Sequence, residues 1–420
     1  MHAIEKIMAR AAGLPQVRTG EIVNCRVDRA GINDLYLQTK RSFLEMGGSK
    51  VHTPEGVVMF LDHYAPASTV SQAAVQKEFR EFCAEQGIDK LMDVNRGVCH
   101  QVLLDSGNSR PGMVIVITDS HTTTHGAVGA FGTGVGATDL ATILLTGKLW
   151  FRVPEIIRFT LNGAMPKGVY AKDVILKILG ELKADYAVYK AVEFTGPAIA
   201  AMSMSERLCL CNMTTEMGAK AAYIQPDETT FAYLAARGVD VDPADVFTTD
   251  PDFVYAAEHT YDVSSFEPQV AAPFSVDNVA DLSAHAGKRI DQAYIGACTG
   301  GRLEDIAEAA RIVKGRKIAR HTRFIISPAS RETLLDAIAA GYITDLVEAG
   351  ATLVTPGCAA CLGIHEGLIA EGERCISSTN RNFPGRMGHV KGEIFLASPA
   401  AVAASAVAGS IADPRQFAGE

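Results

Sequence analysis

The sequence predicts an α/β protein whose layers are built on mainly parallel sheets, and three observations carry that prediction. Short aliphatic or β-branched runs, Val57–Leu61, Met113–Thr118, Tyr294–Ala297 and Thr352–Thr355, lack the polar alternation of a half-exposed strand and suit strands buried on both faces. Amphipathic segments separate them, and that alternation favours parallel pairing through helical crossovers. With 48% hydrophobic and 21% charged residues, the 420-residue chain can bury substantial cores. At roughly 100–200 residues per domain it is long enough for two or three.

The opening segment MHAIEKIMARAAGL places acid and base between its apolar positions, and reads as an amphipathic helix and not as a secretion signal. Ala67–Gln86 is a second helix: Ser68 or Thr69 can cap it, Val75, Phe79 and Phe82 share one face, and Gly87 ends it. Arg302–Lys314 is a third, with Leu303, Ile306, Ala310 and Val313 on one face and Gly315 as its stop. The texture changes near Val153–Pro154 and again across the Pro-bearing, polar stretch Ser264–Val279, which divides the chain into segments 1–153, 154–272 and 273–420. The Ala-rich stretch Ala400–Ala412 is interrupted by Ser405, Gly409 and Ser410, so it falls short of the roughly 20 apolar residues that span a bilayer. Net charge is −9 and no dense Lys/Arg tract occurs, which argues against broad neutralisation of nucleic-acid phosphates. Neither a membrane nor a nucleic acid is an expected partner, and the expected location is the cytoplasm.

The polar chemistry gathers where apolar runs end. Asp62 and His63 follow VVMFL, Asp119, Ser120 and His121 follow MVIVIT, Glu193 follows Ala191–Val192, and His100 stands in GVCHQVLL. Open α/β sheets bind ligands outside the carboxyl ends of their strands, where side chains from separate loops converge. Each residue alone has an ordinary reading as a core or capping group; the repeated placement is what suggests a single cleft. Nine cysteines in a long chain suit a metal or redox role better than a disulfide framework. Cys358 and Cys361 form a C-x-x-C, and Cys298 follows the run YIGA some sixty positions earlier. Thiolates hold iron–sulfur clusters or zinc, and spacing alone leaves open whether Cys375 adds a fourth ligand. A thioredoxin-like pair would need an early βαβ context, which this late motif lacks. The glycines of Gly126–Asp139 are spaced G-x-G-x-G, which is not a dinucleotide fingerprint; tight backbone packing near a ligand explains them better. Arg381 and Arg386, in the loop SSTNRNFPGRMG, can offer guanidinium forks to carboxylates.

Taken together, the segments FLDH, GVCHQ, TDSHTTTHGAVGAFGTGVG, VEFTG, IGACTGGRLED, PGCAACLG and GERCISSTNRNFPGRMG resemble, in order and over most of the chain, the aconitase superfamily. The likeness is nearest to large subunits of its two-subunit members, such as the 3-isopropylmalate dehydratases. The resemblance implies three α/β domains around a cleft, and a [4Fe–4S] cluster held by Cys298, Cys358 and Cys361, with Cys375 a nearby non-ligand. It implies a hydro-lyase acting on a malate-type hydroxy diacid. Under that reading His63, paired with Asp62, protonates the departing hydroxyl. His100, His121 and Glu193 arrange the iron-bound water, with Asp119 and Ser120 in support, and Asn380, Arg381 and Arg386 contact the cluster surroundings and substrate carboxylates.

The resemblance also implies a partner. The family abstracts a carbon-bound proton with a serine on a swivelling fourth domain, and about thirty residues follow Arg386. A heterodimer with a small subunit carrying that domain is therefore expected. Two departures bear on substrate. The family's SCTN is Ala297-Cys298-Thr299-Gly300 here, and its PGS is replaced by SPAS at Ser327–Ser330. They keep maleate, citraconate and a dimethylmalate open as alternatives to isopropylmalate. An apo-state, iron-sensing RNA binder is the alternative from a different class, and the acidic charge speaks against it.

Overall fold

The computed structural model describes residues 1–34 and 36–417. Three sheets dominate it. The first holds Leu91–Met92, Val57–Phe60, Arg29–Ile32, Val114–Ile117 and Phe131–Gly134, in that spatial order, every pair parallel. The second orders Ala221–Ile224, Ala191–Thr195, Ile156–Asn162 and Ala257–Asp262, again all parallel. The third runs Val279–Asp281, Gln269–Ala271, Glu393–Leu396, Arg374–Ser377, Gln292–Ile295, Arg323–Ile326, Thr352–Leu353; only the pairs made by Gln269–Ala271 are antiparallel. A separate antiparallel ribbon joins Ile22–Arg26 to Lys148–Arg152.

Burial explains which runs could be read as strands. Val57–Phe60, Val114–Ile117 and Gln292–Ile295 are buried at every position, as parallel strands covered on both faces must be. The edge strand Ala257–Asp262 instead alternates half-buried and exposed residues. The expected strands Tyr294–Ala297 and Thr352–Thr355 are displaced or shortened. Ala297 leaves the sheet with φ +64° to open a short helical turn, and Pro356 follows the second run with no N–H to extend a ladder. Residues 269–271, placed by the sequence in the middle segment, pair within the third sheet.

The helices follow their local signals. Val70–Gln86 starts when Thr69 Oγ1 accepts from Gln72 N–H, and ends at Gly87 in the left-handed region. Leu303–Val313 keeps its apolar face on the core. The amphipathic opening becomes the helix Ala3–Ala12, capped by buried His2, whose Nδ1 accepts from Ile4 N–H at 3.0 Å. No helix among the described residues is long and apolar enough to cross a membrane.

Candidate active site

The first and third sheets present their carboxyl ends to a common region. Asp62 and His63 lie just past Val57–Phe60, Asp119–His121 past Val114–Ile117, Cys298 past Gln292–Ile295, and Asn380 past Arg374–Ser377. His100 enters from the first turn of the helix Cys99–Asp105. The backbone binds these loops together: Asp62 C=O accepts from Cys358 N–H at 2.8 Å, and Asp62 Oδ2 accepts from Cys99 N–H at 2.8 Å. Gly134 sits so close to the same loop that a Cβ there would lie 2.4 Å from the Asp119 carbonyl oxygen. Close backbone approach is thus the reason for that glycine.

A buried acid–base network fills one wall. Asp62 Oδ1 pairs with His63 Nδ1 at 2.8 Å, and His63 Nε2 stands 3.7 Å from Asp119 Oδ2. Burial disfavours charge on His63, but Asp62, helped by Asp34 and Asp119, overrides it and raises the imidazole pKa from 6.5 to about 10. Asp119 Oδ1 accepts from His100 Nε2 at 3.0 Å and from His121 N–H at 2.8 Å. Burial opposes its ionisation, yet these two histidines hold Asp119 well below the usual carboxylate range. Cys99, His100 and Asp119, and likewise Asp34, Asp62 and His63, bring their ligand atoms within 4.8 Å of one another.

The three predicted cysteines gather beside this network, with Cys358 N–H bonded to the Asp62 carbonyl. All are at most 7% exposed. Asn380 bridges two of them: its Nδ2–H donates to Cys298 Sγ at 3.3 Å, and the Cys361 thiol donates to its Oδ1 at 3.5 Å. Asn212 adds a second amide donor to Cys298 Sγ at 3.1 Å. Burial pushes the Cys298 thiol up to about 12, and the hydrogen bond with Cys361 together with burial raises Cys358. Buried thiols with amide N–H groups aimed at sulfur suit a metal centre, because a bound cation turns the costly thiolates into ligands. Cys375 takes no part: its sulfur meets the Ile376 carbonyl and the Gln292 amide inside the strand Arg374–Ser377. Gly300, one of the departures, packs where a Cβ would come 2.4 Å from Ser378 Oγ, so an asparagine there would need the neighbouring strand end to move.

The structure brings Asp62, His63, His100, Asp119, Ser120, His121, Asn380, Arg381, Arg386 and the three cysteines to this cleft. It does not bring Glu193. That residue lies inside the strand Ala191–Thr195, not at its end, and its carboxylate accepts from Tyr255 OH at 2.6 Å and faces His2 Nε2 at 3.5 Å. The glutamate that pairs with His121 Nε2, at 2.7 Å, is Glu216, which also accepts from Arg381 Nε at 2.9 Å. Asn212 and Glu216 stand four apart in NMTTE at the end of the helix Met204–Met213, so helical spacing was the available signal, and a search of strand ends missed it. Asp34 is a second omission; it accepts His63 N–H at 2.6 Å and Tyr64 N–H at 2.8 Å.

These placements separate two variants. Glu193→Gln is expected to lower the melting temperature, through roughly 1–3 kcal/mol lost with a buried charge-assisted hydrogen bond, while leaving turnover intact. Glu216→Gln is expected to lower turnover itself, and kinetics with parallel thermal melts separate the two.

The model of the aconitase family (aconitate hydratase) matches residues 5–409 of the chain. The chain is 50% identical to the 3-isopropylmalate dehydratase large subunit 1 of Methanopyrus kandleri, over 98% of each chain. It is 48% identical to the probable methanogen homoaconitase large subunit of Methanothermobacter thermautotrophicus, covering 100% of this chain and 99% of the other. The homoaconitase large subunit of Thermus thermophilus is 44% identical over 98% and 97% of the two chains. The holo-form structure of aconitase X from Thermococcus kodakaraensis shares the fold, with a TM-score of 0.51 at 13% identity, over 93% of this chain and 94% of that one. On the family match and on identity sustained over nearly the whole length of these relatives, the chain belongs to the aconitase family.

Proposed function

We propose that the chain is the large subunit of a hydro-lyase that interconverts a malate-type hydroxy diacid with its unsaturated partner, with 3-isopropylmalate the leading substrate. The observation that carries this reading is the gathering of three buried cysteines beside a buried His–Asp network. Cys298, Cys358 and Cys361 would hold a [4Fe–4S] cluster, with Asn212 and Asn380 donating to sulfur. Such a cluster, when bound, supplies a Lewis-acidic iron for the carbon–oxygen chemistry.

The chain's own groups supply the proton and the orientation. His63 holds a proton through the neutral range, with Nδ1 fixed by Asp62 and Nε2 directed to the Asp119 side of the cleft. That places an acid where a departing hydroxyl has to be protonated. Asp119 and Glu216, both held ionised, orient His100 and His121 through their Nε2 atoms. Arg381 is engaged by Glu216 and by Ser120 Oγ at 3.0 Å, whereas Arg386 keeps a buried Nε without a partner in the protein. Arg386 is therefore the better candidate to receive a substrate carboxylate.

The relatives' names specify large subunits, and the matching chains correspond over nearly their full length, which supports a small-subunit partner. The deciding experiment is an anaerobic assay of the chain reconstituted with iron, sulfide and its small subunit. The panel contains isopropylmalate, a homoaconitase substrate, maleate, citraconate and a dimethylmalate. Turnover of isopropylmalate above the others is the expected result. A homoaconitase preference would move the substrate assignment, and no turnover of any diacid would overturn the reading.

A further inference from the structure

Behind the cleft wall lies a second pair of histidine contacts that the chemistry above does not use. His125 is fully buried, in the same segment as His121, and its Nδ1 lies 2.9 Å from the Oγ of fully buried Ser109. Its ring stands 5.6 Å from that of His100, inclined at 65°. Two nitrogens are left over on these neighbouring rings: His125 Nε2 and His100 Nδ1 are both buried and bonded to no other protein atom. Leaving either unsatisfied is costly, so native structures rarely keep two side by side.

We infer that Ser109 and His125 are positioning residues for His100, joined to it by one internal water between His125 Nε2 and His100 Nδ1. The inference rests on the proposed reading only in supposing that His100 serves the cleft. Proton bookkeeping gives the chain one direction. Asp119 is an ionised carboxylate and accepts only, so His100 Nε2 carries a hydrogen, and the inferred tautomer leaves Nδ1 as the acceptor. The water then donates to His100 Nδ1 and accepts from His125 Nε2–H, which leaves His125 Nδ1 to accept from Ser109 O–H. Burial keeps His125 neutral, as this arrangement requires. Two buried, unpartnered nitrogens on neighbouring rings offer one donor and one acceptor to a single trapped water. The consequence for the cleft is a His100 ring locked in one tautomer and one orientation. Partners of this kind on metal-bound histidines are typically worth roughly 10–100-fold in affinity or activity, and an effect of that order is expected here.

The test combines a spectroscopic and a kinetic arm on the full chain. Histidine ring nitrogens are labelled with 15N, and His100 is assigned through the signals lost in His100→Asn. The expected spectrum shows an unprotonated Nδ1 and a protonated Nε2 for His100. His125→Phe is expected to disturb both signals and Ser109→Ala to disturb them less, while His125→Gln, which restores a polar group near Nε2, keeps them close to wild type. In the complex with the small subunit, His125→Phe is expected to lower kcat roughly 10–100-fold with little change in KM. His125→Gln should recover most of that loss. A protonated Nδ1 in the wild type, or a His100 spectrum that ignores His125→Phe, overturns the inference. So does an equal loss of kcat in the Gln and Phe variants. If the wild-type complex turns over no diacid, the functional reading fails while the ring spectrum still decides this one.

Discussion

Serine in place of Cys361 is expected to abolish iron retention and turnover together. The chain offers three buried thiols for a cluster, and a serine hydroxyl is a poor substitute because the ligand must be a thiolate. The loss is not confined to one bond. The Cys361 thiol also donates to Asn380 Oδ1, Asn380 donates in turn to Cys298 Sγ, and Arg386 Nη2 approaches Cys361 Sγ at 3.9 Å. Removing the sulfur therefore loosens the amide that orients a second ligand and the arginine proposed to meet the substrate. The matched control is Cys375→Ser, which is expected to leave metal content unchanged, since Cys375 bonds to Gln292 and Ile376 instead. Iron and acid-labile sulfide per chain after anaerobic reconstitution, read beside the broad visible absorbance, measure both. A Cys361→Ser chain with a full complement of iron would sink the ligand assignment. Iron lost from Cys375→Ser would point to a closed four-cysteine site.

That contrast also marks what could be read from the sequence. Cys298 and the Asp62–His63 and Asp119–His121 pairs were legible because they stand just after apolar runs, which a parallel sheet delivers to one edge, and Cys358 and Cys361 through their C-x-x-C spacing. Buried strands were legible for the same reason: Val57–Phe60 and Val114–Ile117 have no polar position to confuse the pattern. The strand Gln292–Ile295 was misplaced by two residues because it starts on a buried glutamine, whose Nε2–H donates to Gly367 C=O at 2.6 Å. No local pattern shows that such a polar side chain is satisfied. Glu193 and Glu216 failed in opposite ways. An acid after two apolar residues looked like a strand end but is the middle of a strand, held by an N-terminal histidine more than 190 positions away in sequence. Glu216 joins the site because the helix Met204–Met213 docks on the Ser120–Val128 segment, where Asn212 Nδ2–H donates to Thr124 Oγ1 at 2.8 Å. That docking is tertiary, and the four-residue spacing of Asn212 and Glu216 alone does not say which surface the helix meets.

Asp62→Asn tests the acid side of the mechanism, and two readouts with different pH behaviour are expected to move. The asparagine keeps the size of the side chain and can still accept from Cys99 N–H, so the loop linking Asp62 to Cys358 retains its anchor. What it removes is the charge that holds a proton on His63. Burial then works almost unopposed, with only Asp34 and Asp119 left to resist it, and the imidazole becomes neutral in the working range. An acid lost from proton transfer typically costs 10²–10⁴-fold, and kcat at neutral pH is expected to fall within that span. The stability effect has a definite sign. His63 has a folded pKa raised from 6.5 to about 10, so its pairing with Asp62 stabilises the native state fully below about 6.5 and fades as pH climbs toward 10. Asp62 is the depressed partner, so the same interaction, counted once, is also lost in acid as that carboxylate takes up its proton. The gap in melting temperature between wild type and Asp62→Asn should accordingly be wide near about pH 6 and narrow near about pH 9. A gap that widens with rising pH would mean that Asp62 holds the fold by some means other than the charge on His63. A kcat unchanged at neutral pH would remove His63 as the acid.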